Sequence, residues 1–275
     1  MAGFKVTLVD VEPETPNTSP EILEAAITPK TKAIFLVHLM GNPCQMDAIA
    51  DIAKRHGLRI FEDCCEALGA EFNARKIGAF STASAFSFFA SHHISTMEGG
   101  MIATSNEDFA DQCRMLRAHG WTRDLKHDHN SYECDDRRYH FLGEGFNFRP
   151  TELSAAIGRT QLETLPARNE QRQENALTVK HGVRYQSQKL KPLRVTSEKA
   201  KPSWFALPFV LKEGIDRKWV KSYLQSKGVD TRPIVGGNLM GHAAFMFHRA
   251  MRNESWSLPG ADVIHDRGFY VGLPL

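Results

Sequence analysis

SFFASHHISTMEGG, from Ser87 to Gly100, is the stretch on which the reading of this chain turns. It joins two short apolar segments of strand length, Ala83–Phe88 and Gly100–Thr104, and it carries His92 and His93 side by side. Imidazole takes and gives a proton near neutral pH but offers no primary amine with which to form a stable imine.

Upstream of this stretch an α/β alternation is set. Lys5–Val11 reads as a strand, Thr18-Ser19-Pro20-Glu21 as a capped helix start, and Lys32–Leu39 as a buried strand. Met46–His56 is an amphipathic helix with Met46, Ile49, Ile52 and Ala53 on one face and Gly57 at its end, followed by a strand at Leu58–Phe61. Downstream comes the helix Asp108–Ala118. The pattern predicts a mostly parallel, doubly wound sheet with helical crossovers. Beyond it the chain turns helical from Pro150 through Ile157, and Arg168–Lys189 reads as a long helix. A strand at Phe205–Leu211, a helix over Asp216–Lys227 and a strand start at Val229–Pro233 make a second, smaller unit. The expected division is a large domain over 1–165 and a small α/β domain over 166–275. Because the chain starts directly on a strand and stops at Val271–Leu275 without a closing helix, both domains are expected to lack part of their ends.

With 275 residues, 42% hydrophobic and 24% charged, the chain can bury a large core. A formal net charge of +2, with no dense Lys/Arg run, gives no reason to expect nucleic acid. No apolar run approaches a membrane span and no signal peptide opens the chain, so the cytoplasm is the expected compartment. Five cysteines, including the adjacent Cys64 and Cys65, provide no paired zinc spacing, and no metal site is expected.

The acid-rich run Phe61–Ala70, FEDCCEALGA, follows a strand, so its acids fall at the carboxyl edge where open α/β sheets bind ligands. Asp63 there suits either of two tasks. A carboxylate beside a pyridine nitrogen keeps that nitrogen protonated, and the same residue type caps helices. Ser87 can satisfy a strand end, Glu66 can be a solvated first-turn acid, and Asn147 can hold a turn beside Gly145. His119, before Gly120 at a helix end, suits the helix dipole.

Taken in order, Glu62-Asp63 with Gly69, Ser87 to Gly100, Arg117–Gly120 (RAHG) and Gly145–Arg149 (GFNFR) resemble the DegT/DnrJ/EryC1/StrS family of pyridoxal phosphate (PLP)-dependent sugar aminotransferases over nearly the whole chain. In that family the first-quoted stretch reads S-F-x-x-x-K-x-I-[ST]-x-x-E-G-G, with the lysine carrying the cofactor. The resemblance implies a fold type I PLP-dependent transferase of the aspartate aminotransferase kind, working as a homodimer with sites at the interface. It places Asp63 on the ring nitrogen, Glu66 near the phenolic oxygen, Ser87 on the cofactor phosphate, and Asn147 on a phosphate across the interface.

The departure is His92, at the lysine position. It resembles a branch of the family, the sugar 3-dehydratases, in which a second histidine follows as His93 does here. One type in that branch holds an iron–sulfur cluster on clustered cysteines; between Trp121 and Gly143 this chain has only Cys134, so no cluster is expected. The other type uses pyridoxamine phosphate (PMP) and L-glutamate. The implied reaction is removal of the 3-hydroxyl from a nucleotide-linked 4-keto-6-deoxy sugar. His92 is the candidate base and His119 a lesser catalytic candidate, while Arg123 and Arg149 are candidates for the sugar's phosphates. The competing readings are an aminotransferase that retains the amine and an inactive dimer-partner module.

Overall fold

The computed structural model describes residues 3–125, 139–186, 189–246 and 257–273. In chain order its elements are α1 (Pro20–Ala25), β1 (Ala33–Val37), α2 (Met46–His56), β2 (Arg59–Asp63), β3 (Glu71–Phe72), β4 (Arg75–Lys76), β5 (Ala83–Ser87), β6 (Gly100–Ala103) and α3 (Glu107–Arg117). There follow α4 (Glu152–Gln186), β7 (Leu190–Pro192), β8 (Ala200–Lys201), β9 (Leu207–Leu211), α5 (Arg217–Ser226), β10 (Thr231–Arg232), α6 (Ala243–Met246), α7 (Pro259–Arg267) and β11 (Gly268–Val271).

The local signals act as their chemistry requires. Ser19 accepts the Ile22 N–H ahead of Pro20, Asn106 accepts the Phe109 N–H at the start of α3, and Asp216 accepts the Lys218 N–H at the start of α5. Helix α2 buries Met46, Ile49, Ile52 and Ala53 and ends at Gly57 in the left-handed region, with Lys54, Arg55 and His56 at the negative end of its dipole. Met46, Ile49 and Ile52 each contribute about 1.5–3 kcal/mol on full burial.

The main sheet has the order β1-β2-β5-β6. β1, β2 and β5 are parallel, joined by crossovers, and their carboxyl ends lie on one edge. β6 is antiparallel to β5, from Ser84↔Ala103 to Ser87↔Gly100. The expected parallel crossover is absent there because the intervening stretch forms no helix and simply turns back. A second, antiparallel sheet has the order β10-β11-β9-β7, and a third small one the order β4-β3-β8. One core lies between α1, α2 and the main sheet; another packs Trp204, Leu207, Phe209 and Phe269 beside Ala176 of α4. A third joins Met40 to Leu193, Ala206, Val210, Ile234 and Ile264, and ties the main sheet to the second one.

Three expectations are corrected. Lys5–Val11 is irregular rather than a strand, since no strand pairs with it among the described residues. Its Asp10 carboxylate instead accepts the Gly260 and Ala261 N–H groups, each at 2.9 Å, and caps α7 from about 250 residues away. The approach demands glycine, because a Cβ on Gly260 would stand 1.7 Å from the Val11 carbonyl oxygen. β1 is not buried throughout: Ile34 and Leu36 are covered, while Phe35 is 68% exposed. Finally, the helices expected before Ile157 and after Arg168 are one 35-residue helix that runs through Pro166 at the cost of a backbone hydrogen bond.

Candidate active site

β2 ends in two acids with opposite environments. Glu62 is buried, accepting from Gly78 N–H (2.9 Å), Phe80 N–H (3.1 Å) and His38 Nε2 (3.0 Å). Burial alone would raise its pKa, but the His38 hydrogen bond, with those of Ser81 and Gly78, outweighs it and holds the carboxyl below the usual range. His38 Nδ1 accepts the Cys44 N–H at 3.0 Å, so the ring proton resides on Nε2 and faces Glu62. His38, Glu62 and Cys64 bring donor atoms within 4.8 Å of one another, as a metal site would. Both Glu62 oxygens and both His38 nitrogens are already engaged, however, and burial drives the Cys64 thiol strongly upward. The cluster is a structural knot beneath the site.

Asp63, next along, is half-buried at the strand end, where its Oδ1 accepts the Cys65 N–H at 3.0 Å. Glu66 follows in the turn and accepts the Met40 N–H at 2.6 Å. Burial first, with the Asp63 charge adding to it, raises the Glu66 pKa to about 7 against the opposing Met40 hydrogen bond.

β5 delivers Ser87 to the same edge as Asp63, and the loop beyond it folds back so that His92 Nδ1 lies 3.0 Å from Ser87 Oγ. Ser87 Oγ also accepts the Phe89 N–H at 3.2 Å. His92 is half-buried; burial lowers its pKa, and the Asp63 charge opposes that. Its ring lies 5.4 Å from that of Phe205, which in turn meets Tyr270 edge-on at 6.3 Å. Burial raises the Tyr270 hydroxyl, and the Glu66 charge adds to it. The loop is clamped to α4 by a reciprocal pair: Ser95 N–H donates to Gln161 Oε1 (2.9 Å) and Gln161 Nε2 to the Ser95 carbonyl (2.6 Å).

Asp63, Glu66, Ser87 and His92 therefore converge. The other sequence candidates form a second, exposed cluster. His119 follows α3 at φ 62°, outside the usual range for a residue with a side chain, and donates its N–H to the Phe146 carbonyl at 2.8 Å. Segments 116–122 and 139–148 are zipped together by Phe146 N–H to Leu116 O, Phe148 N–H to Arg117 O and Leu142 N–H to Gly120 O, with Asn147 bridging Ala118. Arg149 reaches Asn147 Oδ1 from Nε (3.4 Å) and from a terminal nitrogen (3.3 Å), while Arg123 lies 4.1 Å over the Trp121 ring beside Asp124. Phe146 and Phe148 stack at 4.8 Å yet are 56% and 69% exposed. Cys134, on which the iron–sulfur reading turned, lies outside the described residues.

A family model for the DegT/DnrJ/EryC1/StrS aminotransferase family matches residues 1–274. The chain belongs to this family. GDP-4-keto-6-deoxy-D-mannose 3-dehydratase of Escherichia coli O55:H7 is 37% identical over 282 residues, which span 98% of this chain and 70% of that protein. The solved structure of E. coli GDP-4-keto-6-deoxy-D-mannose-3-dehydratase with bound hydrated PLP matches with a TM-score of 0.91 at 35% identity, covering 98% of this chain and 70% of that one. A GDP-4-keto-6-deoxymannose-3-dehydratase with a trapped PLP-glutamate geminal diamine matches at TM-score 0.89 and 35% identity, again over 98% of this chain and 70% of that one. The fold is accordingly that of the PLP-dependent aminotransferases.

The residues fit such a cofactor. A half-buried carboxylate at a strand end suits a protonated ring nitrogen, and Glu66, with a pKa near 7, suits a phenolic oxygen as either donor or acceptor. Sequence reasoning missed Phe205, Tyr270, Gln161 and Arg172. Phe205 and Tyr270 arrive from the second sheet and its approach; no local pattern marks residues brought in from more than a hundred positions away. The polar residues Gln161 and Arg172 sit on the long helix, where they read as solvated.

Proposed function

We propose that this protein is a PLP/PMP-dependent nucleotide-sugar 3-dehydratase, acting on a 4-keto-6-deoxy sugar of the GDP-4-keto-6-deoxy-D-mannose type with L-glutamate as amino donor. Such a reaction supplies dideoxysugars, colitose among them, for lipopolysaccharide O-antigen. The observation that carries this reading is His92 standing 3.0 Å from Ser87 at the Asp63 edge.

When bound, the cofactor would supply a primary amine for the sugar's ketone and a ring able to hold the electron pair freed when its methylene loses a proton, the same pair that then expels the 3-hydroxyl. Asp63 keeps that ring's nitrogen protonated. With Nδ1 held by Ser87, the free nitrogen of His92 is Nε2. A proton on Nδ1 donated to Ser87 Oγ leaves Nε2 basic, and burial favours that neutral ring at neutral pH. In this tautomer Ser87 Oγ accepts from both His92 and Phe89, and its own hydroxyl proton is left to donate to the cofactor phosphate. His92 then takes a proton at Nε2, while leaving the cofactor noncovalently held because it has no amine to compete for it.

Asn147, Arg123 and Arg149 are read as the phosphate side of the site, Asn147 reaching a second copy, with His119 beside them as a lesser catalytic candidate. Homodimerisation is supported by the exposed apolar groups Phe141, Phe146 and Phe148 on this side, and by Met97 at 66% and Met101 at 48% exposure on the loop after β5 and on β6. The division near residue 165 is read as two lobes bridged by α4.

Incubation with GDP-4-keto-6-deoxy-D-mannose, PMP and L-glutamate tests the reading. Release of ammonia with a 3-deoxy ketosugar is the expected result. An amino sugar as product would make the protein an aminotransferase, and a folded protein that takes up no PLP chromophore would be a binding module.

A further inference from the structure

The segment that brings Phe205 to His92 is held in an unusual way. Residues 202–205 belong to no strand, yet their carbonyls are each taken by a side chain. Gln173 Nε2 donates to Pro202 O at 2.8 Å and His93 Nε2 to Ser203 O at 2.8 Å. One terminal nitrogen of Arg172 donates to Trp204 O at 3.4 Å and to Phe205 O at 3.0 Å. On the opposite side the Ser203 and Phe205 N–H groups donate to the Gly41 and Met40 carbonyls, each at 3.0 Å. The fit is tight enough that a Cβ on Gly41 would stand 2.0 Å from the Ser203 oxygen.

Only one of these clamps comes from the loop that also carries His92. His93 is 5% exposed, and because its Nε2 faces a carbonyl that nitrogen must carry the proton. Its Nδ1 has no hydrogen-bond partner among the described residues. Burial lowers its pKa to about 4, with Arg172 and His92 adding to the effect against the Ser203 hydrogen bond, so it is neutral at working pH and its single ring proton is committed to the Ser203 carbonyl. A buried histidine with one unpaired nitrogen is a costly way to fill space. What it provides is a directed N–H to the Ser203 carbonyl, two residues before Phe205, and the Phe205 ring lies 5.4 Å from His92 and 6.4 Å from His93.

We propose that His93 is a positioning residue: through the Ser203 carbonyl it sets the Phe205 ring against His92, and so holds His92 in register with Ser87. This deepens the dehydratase reading and rests on it, since there His92 moves the proton. The same contacts run on to Glu66, which accepts the Met40 N–H, so both sides of the site bear on one strut. The charged and titratable groups that bear on His92 and this strut are Asp63 and Glu66 beside β2, Arg172 on α4 and Tyr270 on β11.

The test is nitrogen NMR of the His92 ring in the folded protein without sugar, run beside steady-state kinetics, for His93→Leu, His93→Gln and Phe205→Leu. His93→Leu should abolish the hydrogen-bonded signature of His92 Nδ1 and move the His92 pKa toward its ordinary value. It should also lower kcat by about 10–100-fold with KM nearly unchanged. His93→Gln, which restores an N–H for the Ser203 carbonyl, should recover most of both. Phe205→Leu should reproduce the NMR change, and it decides the matter if His93→Leu fails to fold. An unchanged His92 signal in whichever of the two leucine variants folds, or a folded His93→Gln as impaired as His93→Leu, overturns the proposal. If the wild type turns over no sugar, the dehydratase reading fails on its own, while the NMR result still decides whether His93 positions His92.

Discussion

The two halves of the proposed site are built differently. Asp63, Glu66, Ser87 and His92 sit at the carboxyl edge of parallel strands, where Gln161, Met40 and Phe205 brace them from separate parts of the chain. His119, Arg123, Asn147 and Arg149 lie exposed on two segments that are zipped mainly to each other. The inner half is preorganised within one chain. The outer half is shaped, but it faces outward, with Arg149 bonded to the neighbouring Asn147 and its aromatic rings uncovered. Chemistry needs fixed geometry, which the inner half has; the outer half offers a surface for something else to complete.

The contrast can be broken most strongly at His92. His92→Asn should reduce sugar dehydration by about 10²–10⁴-fold while leaving thermal stability and self-association intact. A variant that keeps more than a tenth of the activity would remove His92 from the reaction.

Glu66 gives a sharper test of the inner half because its environment is written into stability. Its folded pKa of about 7 lies above the usual 4.5, so between those values the folded protein holds a proton that the unfolded chain has released. Stability from this group is therefore greatest below the lower value and declines as pH rises through the upper one, by up to about 3 kcal/mol. Glu66→Gln does not titrate, so its stability relative to wild type should increase from pH 5 to pH 8 in denaturant melts of cofactor-free protein. Parallel pH curves would show that the Glu66 carboxyl is not buried as described.

For the outer half, Phe146→Glu with Phe148→Glu should weaken self-association by about 2 kcal/mol or more, read by sedimentation, with little loss of fold stability because both rings are exposed. An oligomeric state unaffected by both charges would place the interface elsewhere. The smallest effect is expected at Arg123. Its replacement by Ala should raise the KM for the nucleotide sugar by about three- to tenfold with kcat retained, whereas an unchanged KM would confine Arg123 to its stack on Trp121.

What was legible in the sequence follows the same division. α2 was readable from Met46, Ile49 and Gly57 because a lone amphipathic helix carries its period and its stop in its own residues. The inner acids and His92 were readable because one strand end and one loop hold them in short motifs. The two-residue strands β3, β4 and β8 have no period to read, and Asp10 looked like part of a strand because its partners, Gly260 and Ala261, are at the other end of the chain. The stretches through Ile157 and from Arg168 read as separate helices, whereas the structure runs one helix through Pro166 between them. Phe205, Tyr270 and Arg172 reach the site only through tertiary packing. The sequence did single out His93, but only the structure shows its Nε2 directed at the Ser203 carbonyl.

A mixing experiment addresses the central claim, that the inner half of one copy is completed by the outer half of another. A His92→Asn chain is combined with a His119→Ala/Asn147→Ala chain, each nearly inactive alone, and sugar dehydration is followed after the subunits exchange. If the halves belong to different copies, one intact site forms in each mixed dimer, and activity should return to about a quarter of the wild-type level. Activity that stays at the sum of the two parents, with subunit exchange confirmed by labelled chains, would contradict the account.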